Sequence, residues 1–453
     1  MTTPGDPQAL LRSRSYITLL VLAAVIGVPI SGVAWGFLAL VSKLQGWLFT
    51  SLPKALGFHG EPLWWPVPLL MVAGLLVGLT IRYLPGKGGH SPADGFKAGA
   101  GAPTPIELPG IAFAALATLS LGAVLGPEAP LIALGGGLGV CAVRLAKRDA
   151  PARTTAVVAA AGSFASISTL LGSPLLGAFL LMEASGLGGP TLELVLLPGL
   201  VAAGVGSLIF IGLGSWSGLG AFSLTVPNLP SVGLPNLAEF CWALAIGVLA
   251  AFLALGIRRL ALFLRPQVER RLVLATPVAG LAVAGLAIAF ATGTGKGSSE
   301  VLFSGQDALG PFITSSASYT VPALLLLIAC KGLAYGVSLS GFRGGPVFPA
   351  MFLGAAGGMA LSHLPGLPLI PGVAMGIGAM SAAMLNLPLT SVLLATLLLG
   401  SDGVTDMPLA IIAVAVSFVV SARIAVPAQP PASPAGSGTE PSVSPPAGRG
   451  SGP

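Results

Sequence analysis

Between Tyr16 and Val426 the chain returns repeatedly to apolar runs close to the roughly 20 residues that a helix needs to cross a bilayer. Such runs demand an all-α polytopic membrane protein. Only 8% of the residues are charged and 54% are hydrophobic, whereas a soluble domain is about 25% charged. The 64 glycines and 40 prolines exceed the usual shares of about 7% and 5%. Many short, tilted and broken helices are therefore expected. A net charge of +6 would suggest nucleic acid in a soluble chain. Here the positive-inside rule accounts for it, and no nucleic-acid partner is expected.

The basic residues gather at Arg12 and Arg14, at Arg144, Lys147, Arg148 and Arg153, and at Arg258, Arg259, Arg265, Arg270 and Arg271. Those clusters are read as cytoplasmic, with both termini on that side of a plasma membrane. The expected order is a cytoplasmic leader (1–15), a membrane domain (16–424) and a disordered Pro/Ser/Gly-rich tail (425–453). Spans or apolar segments are expected at 16–48, 66–83, 106–125, 131–144, 154–171, 173–183 and 192–213 in the first half. In the second half they are expected at 237–264, 272–291, 321–339, 371–385, 386–396 and 407–424. A basic loop separates 237–264 from 272–291, a Ser/Gly/Pro loop fills 215–235, and Trp64 and Trp65 suit an interfacial belt.

The domain divides into two halves, about 16–213 and 237–424, because a pattern repeats. Gly126-Pro127-x-x-Pro130-x-x-x-Leu134-Gly135-x-x-x-Gly139 returns 219 residues later as Gly345-Pro346-x-x-Pro349-x-x-x-Leu353-Gly354-x-x-x-Gly358. Pro174-Leu175 is echoed in Pro388-Leu389. Matching broken helices in two halves suit an inverted-repeat transporter with a site near mid-membrane.

Glu128 stands between Pro127 and Pro130, residues that favour a helix start. Helix N-termini attract anions, so Glu128 is expected to occupy such a site and to yield it to a permeating anion. The plainer alternative is a helix-start carboxylate paired for stability alone. Ser91 precedes Pro92 as a candidate N-cap, either merely capping or turning its hydroxyl to an anion. Glu183 ends an apolar segment and suits capping or pairing as well as transport.

These motifs resemble the CLC chloride channel and proton/chloride exchanger family, from about residue 16 to 424. The family's G-x-E-G-P stretch appears as Gly126-Pro127-Glu128-Ala129-Pro130. Its G-x-F-x-P stretch appears as Gly345-Pro346-Val347-Phe348-Pro349, with the aromatic one place late. Its G-S-G-x-P stretch is matched loosely by Gly88-Gly89-His90-Ser91-Pro92. The resemblance implies that Glu128 is the gating, proton-accepting carboxylate. It also implies that chloride or a similar anion binds among Ser91, Gly126, Ala129, Gly345, Val347 and Phe348, and that the protein is a homodimer in lipid with one pore per subunit. Three departures stand out. Ala184 replaces the exchangers' inner glutamate, Pro127 replaces a common basic neighbour of the gating residue, and no tyrosine follows Tyr335. Ala184 favours a channel or loosely coupled exchanger over strict proton antiport, and Pro127 means that positive charge near Glu128 must come from elsewhere.

Lys331 and Arg343 are candidates for electrostatic support of the anion, since a cation in a membrane segment costs about 2.5–3.5 kcal/mol. Lys331 could instead snorkel from a helix end. An enzyme is disfavoured. The three cysteines lack metal-ligand spacing, only three histidines are present, and neither H-E-x-x-H nor G-x-S-x-G occurs. No cofactor and no metal are expected. An organic-anion carrier of another fold is the remaining alternative.

Overall fold

A computed structural model describes residues 13–96, 101–186, 190–217, 233–400 and 403–424. Most of the expected leader, all of the expected tail from 425 and residues 218–232 of the expected loop lie outside them. The first half contains α1 (Arg14–Gly46), α2 (Pro66–Tyr83), α3 (Leu108–Ser120), α4 (Glu128–Ala146), α5 (Ala152–Leu171), α6 (Pro174–Ser185) and α7 (Pro190–Ser217). The second contains α8 (Leu237–Arg270), α9 (Leu272–Thr294), α10 (Gln306–Thr314), α11 (Val321–Gly341), α12 (Val347–Leu361), α13 (Leu369–Leu385), α14 (Pro388–Leu398) and α15 (Gly403–Ile424). Eight helices among the described residues are long and apolar enough to cross a membrane.

The two halves repeat one another's packing. α4 lies on α5 as α12 lies on α13, and α5 contacts α6 and α7 as α13 contacts α14 and α15. The repeated glycines explain the closeness. A Cβ on Gly135 or Gly139 would strike the backbone of Gly162 or Val158, and one on Gly354 or Gly358 would strike that of Gly376 or Gly372. Helices meeting backbone to backbone gain van der Waals contact where lipid supplies no hydrophobic drive. α12 and α13 are buried along almost their whole length, so the core centres on them.

Three expectations change. The segment 106–125 is not one continuous helix: α3 has 13 residues, about 20 Å at 1.5 Å each, and the chain then leaves the helix toward Glu128. The basic loop after 264 does not exist as a loop, because α8 runs 34 residues to Arg270. Arg265 there pairs with Asp94 and Glu269, which holds that end together. Trp65 is buried and donates to the Leu48 carbonyl at 2.9 Å, while Trp64 is exposed as an interfacial residue would be.

Candidate anion site

The two repeated turns meet. Gly126 N–H donates to the Gly345 carbonyl at 2.7 Å, and Gly345 N–H returns a bond to the Gly126 carbonyl at 2.6 Å. This isolated antiparallel bridge joins the halves at the point where their broken helices begin. Pro127 (φ −83°, ψ −3°) and Pro346 (φ −92°, ψ −4°) hold nearly the same backbone conformation, so α4 and α12 start alike.

Glu128 is the first residue of α4 and is wholly buried. Its carboxylate does not settle on its own helix start alone, as the sequence suggested. It reaches across the bridge, where Oε1 accepts from Phe348 N–H at 2.9 Å in the first turn of α12. Oε2 has no hydrogen-bond partner among the described residues. A Cβ on Gly126 or Gly345 would fall onto this carboxylate. Both glycines therefore make room for it, and the half-buried Ala129 follows with its N–H close to Gly345. Gly126, Glu128, Ala129, Gly345, Val347 and Phe348 are thus brought together. The N-terminus of a 15-residue helix offers unpaired N–H groups and partial positive charge there, and a carboxylate is an anion held by them.

Ser91 is less committed. It precedes a three-residue 3₁₀ turn, Pro92–Asp94, rather than the expected helix, and its hydroxyl makes no capping bond. Pro92, Ala93 and Gly95 of that turn line a cavity with Arg258 and Ala261 of α8, Leu339 of α11, Met384 of α13 and Pro346 at the foot of α12. The cavity is small and lies between Arg258 and the residue before Val347.

Lys331 does not snorkel. It is wholly buried, and its ammonium donates to main-chain carbonyls of Glu300, Val301, Leu302 and Phe303 at 2.9–3.4 Å. Arg343 is half-buried, donating from Nε to the Lys87 carbonyl at 3.3 Å, while its N–H meets the Thr118 hydroxyl at 3.2 Å. Its side chain braces the Pro85–Gly88 turn, which precedes Ser91.

Two residues emerge that the sequence reading passed over. Tyr335 is wholly buried and donates to the Pro346 carbonyl at 2.8 Å. Ser338 accepts from Val124 N–H at 3.1 Å. With Lys331 they form one stripe on α11 at helical spacing, K-x-x-x-Y-x-x-S, a signal that was present in the sequence. Glu183 is a cap: it accepts from Leu389 N–H and Thr390 N–H at 2.9 and 2.8 Å and from the Thr390 hydroxyl at 2.7 Å. It thereby ties α6 to the first turn of α14. Among the described residues no cluster of three His, Cys, Asp or Glu could hold a metal.

Comparison with known proteins agrees with this architecture. The "Putative ion-transport protein YfeO" of Escherichia coli O7:K1 is 29% identical over 357 residues, covering 77% of this chain and 80% of its own, and that of Escherichia coli O1:K1 matches equally. A slow cyanobacterial Cl−/H+ antiporter superposes with a TM-score of 0.72 at 19% identity, over 90% of this chain and 94% of its own. A CLC-type fluoride/proton antiporter gives 0.69 at 19% identity, over 93% and 97%. Both likenesses are of fold. Residues 73–422 match the family model described as voltage gated chloride channel, and with three quarters of its length so matched this multi-pass membrane protein belongs to the CLC family of ion transporters.

Proposed function

We propose that the protein passes chloride and similar small anions through the junction of the two turns, gated by protonation of Glu128. The observation that carries this reading is the carboxylate resting on the N-terminus of α12, where a dehydrated anion would find the same donors. Ionised, Glu128 competes with the anion and closes the path. Protonated, it loses its charge-assisted bond to Phe348 and its attraction to the helix end, and it gives way. Weak donors suit transport, because a full positive charge in contact would hold the ion too firmly to release it.

Val347 and Phe348 would supply N–H groups and Ser91 a hydroxyl, with the small cavity beside Arg258 lying at the foot of α12. Lys331 and Arg343 would raise the local potential without touching the ion. Channel or loosely coupled exchange is favoured over strict proton antiport, since Ala184 offers no proton acceptor and Glu183 is engaged with α14. Assembly as a homodimer in the plasma membrane, with cytoplasmic termini, accords with the basic clusters and the family. Chloride efflux and proton uptake should be recorded together in proteoliposomes. Flux should rise as pH falls, and Glu128→Ala should remove that dependence. An unchanged pH profile in that variant would refute Glu128 as the gate, and uphill proton movement driven by a chloride gradient would establish strict coupling.

A further inference from the structure

Four consecutive carbonyls, from Glu300 to Phe303, converge on one nitrogen. An ammonium has three protons, so the arrangement is better described as ion–dipole coordination than as paired hydrogen bonds. The ring of Phe352 on α12 covers the ammonium with its centroid 4.4 Å away, adding a cation–π contact. Distances of 2.9–3.4 Å exceed the 2.3–2.6 Å that Ca²⁺ prefers and suit an ammonium-sized monovalent ion.

The chain curls to make this arrangement. Phe303 is held at φ +60°, a left-handed conformation rare for a bulky side chain. Its N–H donates to the Gly122 carbonyl at 3.2 Å. Gly122 itself stands at φ +104° in the segment that leads from α3 toward Glu128. One buried nitrogen therefore connects α11, α12, the 298–303 loop and the approach to the gate.

We propose that residues 300–303 form a monovalent-cation cage whose resident ion is the tethered ammonium of Lys331, and that the filled cage fixes the path into the Glu128 turn. Lys331 is thus a positioning residue as well as a distant charge. The cage stands apart from the transport reading, and only its effect on flux rests on that reading. Without the ammonium, the four carbonyls lose their shared donor, and those of Val301 and Leu302 are left buried, an arrangement that must open or recruit a free ion.

Lys331→Gly leaves a channel the width of the missing side chain, whereas Lys331→Met fills it. Hydrogen exchange of amides 298–305, read by mass spectrometry, should accelerate by about tenfold or more in both variants. Methylammonium should reverse this in Lys331→Gly but not in Lys331→Met, and tetramethylammonium at equal ionic strength should do nothing. Chloride flux should follow the same pattern. Glu128→Gln should leave exchange in the loop unchanged, so a failure of the transport reading would be separable from a failure of the cage. Wild-type exchange rates in Lys331→Gly, or no response to methylammonium, would overturn the proposal. Should Lys331→Gly aggregate on extraction, its monodisperse yield with and without methylammonium becomes the measurement, and no gain in yield counts against the cage.

Discussion

Gly345→Ala tests the site without replacing any titrating group. The added methyl would clash with Glu128 Oε2 and come within 3.0 Å of Ala129 N, so the carboxylate must shift, and the prediction is that its bond to α12 is lost. What it forfeits can be sized. A hydrogen bond to a charged group is worth about 1.5–3 kcal/mol, and the helix terminus adds about 0.3–1 kcal/mol. The closed arrangement then loses roughly 2–4 kcal/mol, a shift of about 30- to 700-fold in occupancy at about 1.4 kcal/mol per tenfold. The methyl also crowds the anion, so absolute flux is a poor readout. The ratio of flux at about pH 5 to flux at about pH 8 is a better one, because it depends on whether a charged carboxylate still holds the closed position. In proteoliposomes wild type should show a ratio well above one and Gly345→Ala a ratio near one. Adding Glu128→Gln to Gly345→Ala should change nothing further, since the two act on a single contact. Gly36→Ala, where the new methyl meets nothing within 4 Å, serves as control. A wild-type ratio in Gly345→Ala would refute the placement of Glu128 against Gly345.

Tyr335→Phe leaves the Pro346 carbonyl buried without its donor and should cost about 1–3 kcal/mol, read as a lower Tm in detergent. Glu183→Gln should cost about 1–2 kcal/mol through weakened capping of α14, read as a lower Tm, while the pH dependence of flux stays as in wild type. Arg258→Gln should raise the chloride concentration for half-maximal flux from the cavity side, measured with oriented gradients, and leave the pH ratio intact. A bromide anomalous map of Glu128→Gln should place density beside Phe348 N, whereas density confined to the protein surface would count against the site.

The broken-helix turns were legible because their cause is local. Proline and glycine dictate where α4 and α12 begin, whatever surrounds them. Residues 66–83 were likewise bounded by their own composition. What stayed hidden depended on partners far along the chain. The segment 106–125, misread as one continuous helix, is as apolar as a lipid-facing helix because α3 is packed against protein, and composition does not distinguish the two surroundings. Lys331 reads as a misplaced charge until a loop some 30 residues away wraps it. Glu128 revealed its helix start, but the helix it caps lies 220 residues on. The spacing of Tyr335 from Lys331 and Ser338 marks a polar face on an otherwise apolar helix, but its acceptor, the Pro346 carbonyl, lies beyond that helix.

The mutual hydrogen bonds between Gly126 and Gly345 also limit how the molecule can work. Many carriers expose their substrate alternately by swinging one half of the fold against the other. Here the would-be hinge faces are stitched together where the two broken helices begin, and separating them would strip two buried peptide groups of their partners. On the gating proposed above, the cycle would be confined to movements about the size of one side chain, with the helical framework at rest while the Glu128 carboxyl swings.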